Sequence, residues 1–441
     1  MDILKISTLV VYAVAGAIRF WFLNSDYRQI IADRVEISTP LNSWKKVTEG
    51  VFLYNEGTDP YSGDVFHDTP VGLLIYSWVF SFASSWLNII FVACDLLTAY
   101  FLSKAATVFM SELELKQNEK KDTYAAGTKN LLLKAYDFHM VPFYVLSAYL
   151  FNPYIILNCV GRTTTVFSNL LLAYALASMC TGKRVASCCS VALLTLQSLY
   201  PAILVMPAAL YIYKNEAKTT VQNKHYTWKQ SFIFTFVVFS LAVGSLLFLS
   251  YKITGSLLFL NSVYGFILTV PDLKPNIGLF WYFFTEMFEH FRPLFIAAFQ
   301  INATVLYMLP LTLRLREEPM LLATSFCALI SVFKSYPCLG DVGFYLALLP
   351  MWKHLYNHMQ QGFIVACFFI TTSVLGPVLW HLWIYSRSAN ANFYFGVTLA
   401  FGTAQIFLIT DILFAYIKRE FYLNNGLPRD PDGKPSKIVL Q

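Results

Sequence analysis

The chain has 441 residues, of which 57% are hydrophobic, 17% aromatic and only 13% charged. Soluble domains carry ~25% charged residues, so this composition excludes a soluble globular protein and points to a polytopic membrane protein. The net charge of +6 suits basic loops flanking membrane helices and does not suggest nucleic-acid binding. The eight cysteines show no metal-ligand spacing. Cys94, Cys180, Cys327 and Cys367 lie in apolar runs, where a thiol acts as a small hydrophobe. No metal and no cofactor are expected.

A membrane-crossing helix needs ~20 apolar residues. Residues 6–23 fit, with Arg19 near the far end and no small-residue cleavage site after them, so they read as a first span and not a removed signal peptide. Residues 24–68 are too polar for lipid. Within them, 43–50 reads as a short helix stopped by Gly50, and 60–63 as a turn. Residues 69–82 are apolar but short, as an interfacial helix would be. Residues 86–109 are long enough to span and carry Asp95. A Lys-rich loop occupies 112–134. The next apolar stretches are roughly 138–158, 164–180, 185–199, 202–213, 231–250, 293–313, 319–333, 342–356, 362–384 and 393–417, and a polar tail fills 418–441. The expected fold is therefore an all-α polytopic membrane protein of about twelve transmembrane helices. Residues 1–417 form one multispan domain, with interfacial sections at 24–85 and 251–292.

The stretch 264–291 cannot be one membrane helix. Pro271 and Pro275 interrupt it, and Asp272, Lys274 and Asn276 are polar there. Two apolar arms flank a polar elbow, which must be packed against protein because unsatisfied backbone is not tolerated in lipid. With both termini on one side, 21 of the 32 Lys and Arg fall on that side. The positive-inside rule then puts both termini in the cytosol. The opposite face holds 24–85, 251–292 and the loops near 151–164, 334–341 and 384–393. The only glycosylation sequon, at Asn302, falls inside an apolar span.

Several motifs now carry a resemblance. They are Arg34-Val35-Glu36, Pro40-Leu41, Ser43-Trp44-Lys45, Glu49-Gly50, Asp59-Pro60-Tyr61-Ser62-Gly63, Phe66-His67-Asp68-Thr69-Pro70, the whole of 271–291, and 378–385 (VLWHLWIY). Over essentially the entire chain they resemble the family of U subunits of glycosylphosphatidylinositol (GPI) transamidase. The resemblance implies a multi-pass subunit of the endoplasmic reticulum membrane, in the complex that attaches GPI anchors to proteins. It also implies partners: further membrane subunits, and a cysteine protease-like catalytic subunit that is a different chain. More distantly, the first loop and the Thr-Pro before an apolar helix are similar to GT-C glycosyltransferases, notably the GPI mannosyltransferases. An active mannosyltransferase is the alternative reading, but Asp26 and the 33–36 segment contain no Asp-x-Asp pair.

A thiol nucleophile needs a neighbouring His. Cys159 and Cys338 have none in their segments, so no catalytic residue is expected. His67-Asp68 can pair as acid and base, or serve as a hydrogen-bonded loop. A GPI molecule offers phosphates, hydroxyls, an amine and acyl chains, so its site should join amide and charged groups to an apolar groove. Asn390 and Asn392, in a short loop between the last two spans, suit the glycan, or cap that loop. His290 and Arg292 end the elbow, where Arg can grip a phosphate or snorkel to headgroups. His381 sits among Trp380, Trp383 and Tyr385. Asp95 and Asp341 are carboxylates within or at the edge of the membrane, with Lys334 a candidate partner. On the cytosolic face, Lys224, Arg314 and Arg316 are placed to hold anionic phospholipid headgroups.

Overall fold

A computed structural model describes residues 2–219 and 227–427. Among these, all regular structure is helical. The first half comprises α1 (Asp2–Leu23), α2 (Tyr27–Ala32), α3 (Trp44–Asn55), α4 (Pro70–Ala83), α5 (Leu87–Lys120), α6 (Ala135–Leu150), α7 (Pro153–Val160), α8 (Thr165–Cys180), α9 (Arg184–Gln197) and α10 (Val205–Thr219). The second comprises α11 (Trp228–Thr254), α12 (Leu258–Leu260), α13 (Phe266–Thr269), α14 (Phe280–Thr285), α15 (Arg292–Ile301), α16 (Met308–Arg314), α17 (Pro319–Phe333), α18 (Leu339–Leu346), α19 (Gly362–Ile384) and α20 (Ala391–Asn425).

By length and composition, six helical runs among the described residues can cross a membrane; a pair bent by 48° between Leu150 and Pro153 makes up to seven. The other expected spans are short helices, such as α8, α9 and α17, whose faces are buried by neighbours. Residues 342–356 are not one span. α18 stops at Leu346, and a 3-10 turn at Leu349–His358 follows, because Pro350 lacks the N–H a continuing helix needs.

Two helices outrun their apolar stretches. α5 continues from 109 to Lys120 because its charged residues are good helix formers with partners. Glu112 pairs with Lys218 at 3.0 Å, and Lys116 pairs with Glu318. α20 runs through 418–425, so that part of the expected tail is helix. Its end is tied back by Leu423 C=O, which accepts from Ala125 N–H at 2.9 Å, and by Arg419, whose Nη2 donates to Leu131 C=O at 3.3 Å. Earlier along α20, Gln405 Oε1 accepts from Ser331 Oγ and the Tyr345 hydroxyl at 3.2 and 3.1 Å. Asp411 accepts from Gln360 N–H and Gln361 N–H, each at 2.9 Å, at the start of α19.

The first helix is pinned by a buried ion pair. Arg19 Nε donates to Asp95 at 2.5 Å, Arg19 Nη1 to Ala15 C=O and Leu150 C=O, and the Tyr149 hydroxyl to Asp95 at 2.8 Å. The polar 24–85 section packs as a collar over one end of the bundle. Trp44 at the start of α3 lies against Tyr76, Phe80, Phe91 and Phe167, with ring centroids 5.1 to 6.4 Å away. The Phe66 ring rests directly on Gly50, where a Cβ would meet it at 2.1 Å. α4 starts as its sequence dictates: the Thr69 hydroxyl accepts from Gly72 N–H and Pro70 takes the first helical position.

Candidate functional site

The collar, the elbow and the turn between α17 and α18 meet at the same end of the bundle. Val270, before Pro271, adopts a left-handed φ of +48°, uncommon for a β-branched residue; it ends α13 and turns the chain into 271–279. Asn276 is buried and its Oδ1 accepts from Gly278 N–H at 2.7 Å. Gly278 packs on Pro337 so closely that a Cβ would meet its ring at 2.6 Å. From the other arm, Phe266 stacks on His67 at 3.6 Å and on Tyr336 at 5.2 Å. One aromatic stack thus joins collar, elbow and the α17–α18 turn.

Beside this stack lies a cavity of about 120 Å³ whose mainly apolar wall carries several polar groups. Its lining includes Asn42, His67, Asp68, Asn169, Lys334 and Asp341. Lys334, just beyond α17, pairs with Asp341 in the first turn of α18 at 2.5 Å, and the two side chains keep 19% and 18% exposure. Asp341 also accepts from Cys338 N–H at 2.9 Å, capping α18. Asp68 is 5% exposed; Oδ1 accepts from Thr69 N–H at 2.6 Å, and the Tyr76 hydroxyl faces the carboxylate. Burial pushes its pKa up to about 6. His67 Nδ1 and Nε2 face the carbonyls of Ser262 and Asp64 at 2.8 and 3.1 Å. A neutral imidazole donates to only one of them, and burial holds the His67 pKa below its ordinary value. Burial also pushes the Cys338 thiol up to about 12, which leaves it protonated and a poor nucleophile.

A second, apolar recess of about 360 Å³ runs between α2, α7, α19 and α20. Ile277 of the elbow, Tyr154, Gly376, Pro377, Tyr394 and Phe401 form much of its wall, and the Arg34–Glu36 pair, bonded at 2.9 and 3.1 Å, adds charge. Trp281 of the elbow packs near Trp383 and Tyr394, at 6.2 and 6.0 Å, and Trp380 near Tyr394 at 5.2 Å. Asn390 stands about one helical turn before Tyr394 and Asn392 about half a turn before it, both exposed. Asn390 is the N-cap of α20: its Oδ1 accepts from Asn392 N–H at 3.1 Å. The two amides therefore sit at a helix start and not in an extended loop. Asn390 keeps its NH₂ donors, and Asn392 projects from the first turn. His381 is exposed near the end of α19, stacked on Tyr385 at 5.3 Å.

The structure thus brings Asn390, Asn392 and His381 to one hairpin, whose Tyr394 reaches the apolar recess while these three do not line it, and it places Asp341 in the other cavity. His290 and Arg292 line neither; Arg292 Nη2 donates to Met287 C=O at 3.4 Å. Arg314 and Arg316 are exposed at the end of α16, Arg316 beside Glu317 at 3.6 Å. Lys224 lies outside the described residues. Sequence reasoning missed Asn42, Asn169, Tyr200 and Tyr336 as cavity residues. Each is one polar group in or beside an apolar run, with no local signal.

Comparison with known proteins agrees with the motif reading. The profile of the family described as GPI transamidase subunit PIG-U matches residues 13–401. The chain is 41% identical over 439 residues to the human GPI-anchor transamidase component PIGU, covering 98% of this chain and 99% of the relative. It is 30% identical to the GPI transamidase component GAB1 of Saccharomyces cerevisiae, over 91% of each chain, and 28% identical to the GAB1 homolog of Schizosaccharomyces pombe, over 96% of each. A profile match across most of the length and this coverage agree on one conclusion: the chain belongs to the PIG-U family of GPI transamidase subunits.

Proposed function

We propose that this chain is a non-catalytic subunit of GPI transamidase that holds the GPI lipid for transfer, with acyl chains in the recess beside α19 and α20 and glycan against Asn390 and Asn392. The observation that carries this is the juxtaposition at the hairpin of exposed amides, an aromatic cluster and an apolar recess, the combination a glycolipid requires. In this reading the twelve apolar stretches are membrane-embedded in a GT-C-like arrangement, both termini are cytosolic, and the site end faces the endoplasmic reticulum lumen. The partners are the other transamidase subunits, including a cysteine protease-like chain that performs the chemistry. Arg314 and Arg316, with Lys224, hold phospholipid headgroups on the cytosolic side, and His290 and Arg292 meet headgroups or glycan phosphate on the luminal side.

The test is a pair of variants in cells reporting a GPI-anchored protein at the surface. An unpaired polar group in a partly buried site costs ~1–3 kcal/mol, so Asn390→Ser with Asn392→Leu should cut GPI engagement about tenfold. Serine keeps the α20 cap, and co-purification of the other subunits should be unchanged. Normal anchoring in this variant would remove both residues from the site. Deletion of the chain should accumulate complete GPI; accumulation of a truncated precursor would instead establish the mannosyltransferase reading.

A further inference from the structure

The geometry points to an anion site at the collar end of the bundle, where Arg28 and Arg162 hold a phosphate group at the membrane surface. Asn24 follows α1 directly, and Arg28 lies in the first turn of α2. Asn88 lies in the first turn of α5, and Arg162 in the turn between α7 and α8. That turn packs on α2: a Cβ on Gly161 would lie 3.7 Å from Ala32 Cα. Asn88 links the other segments. Its Oδ1 accepts from Arg162 Nε and Nη2 at 3.2 and 2.5 Å, and its Nδ2 donates to Asn24 Oδ1 at 3.5 Å. Neither arginine lines the recess beside α19 and α20, so this site is independent of the one proposed there.

Charge without compensation is the first observation. Among the described residues, neither guanidinium pairs with a carboxylate. Asp26 is exposed and has no ion-pair partner, and Asp33 accepts instead from Gln29 Nε2 at 3.0 Å. Burial, and then the charge of Arg28, lower the Arg162 pKa. Two like charges therefore stand together with no acid between them. Unused donors are the second observation. Arg162 spends Nε and Nη2 on one neutral amide oxygen, which leaves Nη1, and the Arg28 guanidinium bonds no protein group among the described residues. Both side chains are half-buried, with no nitrogen sealed away from a ligand. Donors with no acceptor left among them suit an anion, and the planar guanidinium fork matches phosphate oxygens two at a time.

The backbone adds a third. Arg162 holds a left-handed φ of +50°, uncommon for a residue other than glycine. The turn thus carries a cation where glycine would sit without strain. Depth points to the source of the phosphate. α1 is long and apolar enough to cross a membrane and ends at Leu23, so Asn24 and Arg28 lie at the surface of that membrane. Trp21 near the end of α1, Tyr27 and Ile30 of α2, and Trp86 just before α5 are all exposed. Exposed aromatic side chains around a helix end mark the membrane–water interface, which is the level of lipid phosphates.

The experiment uses the intact transamidase complex in phosphatidylcholine nanodiscs and a phosphatidylglycerol bearing a small diazirine on its headgroup. Irradiation should label peptides containing residues 24–28 or 161–164, and excess unmodified phosphatidylglycerol should suppress the labelling. Arg28→Gln removes a side chain that bonds no protein group, so it should reduce labelling about tenfold with complex yield and unfolding temperature unchanged. Arg162→Gly should reduce it similarly, because glycine accepts the φ of that turn. Asn390→Ser with Asn392→Leu should leave it intact. Suppression by phosphatidylglycerol alone would assign the phosphate to a membrane lipid, and equal suppression by methyl phosphate to a soluble phosphate; both support the site. The proposal fails if either arginine variant labels like the parent. It also fails if diacylglycerol competes as well as phosphatidylglycerol, or if the Asn390/Asn392 variant abolishes the labelling.

Discussion

Two ion pairs tie helices together in this protein, and their surroundings differ. Arg19 and Asp95 join α1 to α5 with side chains 0% and 1% exposed, and Tyr149 and two backbone carbonyls add further bonds. Lys334 and Asp341 join the end of α17 to the start of α18 with nearly a fifth of each side chain still accessible, on the wall of a cavity. The first pair is closed in by protein, which leaves Arg19 Nη2 buried without a hydrogen-bond partner, and its other bonds serve cohesion. The second keeps donors that protein does not use. What separates the two pairs is therefore access, since one is sealed in protein and the other opens on a cavity.

The largest expected effect tests that contrast directly. Asp95→Ala leaves Arg19 charged, buried and without its carboxylate. Breaking a buried pair this way costs about 3–5 kcal/mol, so the variant should fail to give folded chain in a detergent thermal-unfolding assay. Asp341→Ala should cost about 1 kcal/mol or less beyond its lost cap, because Lys334 keeps 19% of its side chain exposed. Equal losses would erase the distinction. Next is Gly278→Ala. Its Cβ would press on Pro337 at 2.6 Å, and such overpacking costs about 1–3 kcal/mol. Protease access to the elbow should increase in the purified complex while α1 stays protected.

A third test concerns pH. Asp68 is raised to about 6 in the folded chain, against an ordinary value near 4. The folded state therefore favours the protonated form, and stability is lost as pH rises from about 4 through about 6. Asp68→Asn should remove that slope, and should raise the unfolding temperature at pH 7 by an amount corresponding to about 3 kcal/mol. An unchanged slope would mean that the carboxyl is hydrated. The smallest effect is expected at Arg316→Gln. The residue pairs with Glu317 at the surface, and exposed pairs contribute about 0–1 kcal/mol, so stability should hold while retention on anionic-lipid vesicles falls slightly.

The helical fold was largely legible, because a long apolar run must satisfy its own backbone in lipid and only a helix does so here. The elbow was legible for the opposite reason: Pro271 and Pro275 forbid that solution, and residues 270–279 are indeed non-helical. The hairpin residues Asn390 and Asn392 stood out as polar positions between apolar spans, but the α20 cap that employs Asn390 did not. The cavity was nearly invisible. His67-Asp68 could be seen as a pair, yet Phe266 and Tyr336, which complete the stack, are about 200 and 270 residues away. Helix ends, not a local motif, assemble it, and a one-dimensional pattern does not record which ends meet.

The bonds along α20 bear on how the protein is made. Ser331 and Tyr345 find an acceptor on Gln405, and the N–H groups of Gln360 and Gln361, just before α19, find theirs on Asp411. All of these donors are synthesised before the helix that satisfies them. A nascent chain therefore lacks the acceptors for the Tyr345 hydroxyl and for the N–H groups of Gln360 and Gln361 until its C-terminal segment arrives, while Ser331 keeps Ala328 C=O at 3.2 Å. A chain truncated before residue 391 retains most of its mass but none of these closing contacts. Membrane quality control would meet it as an exposed polar seam.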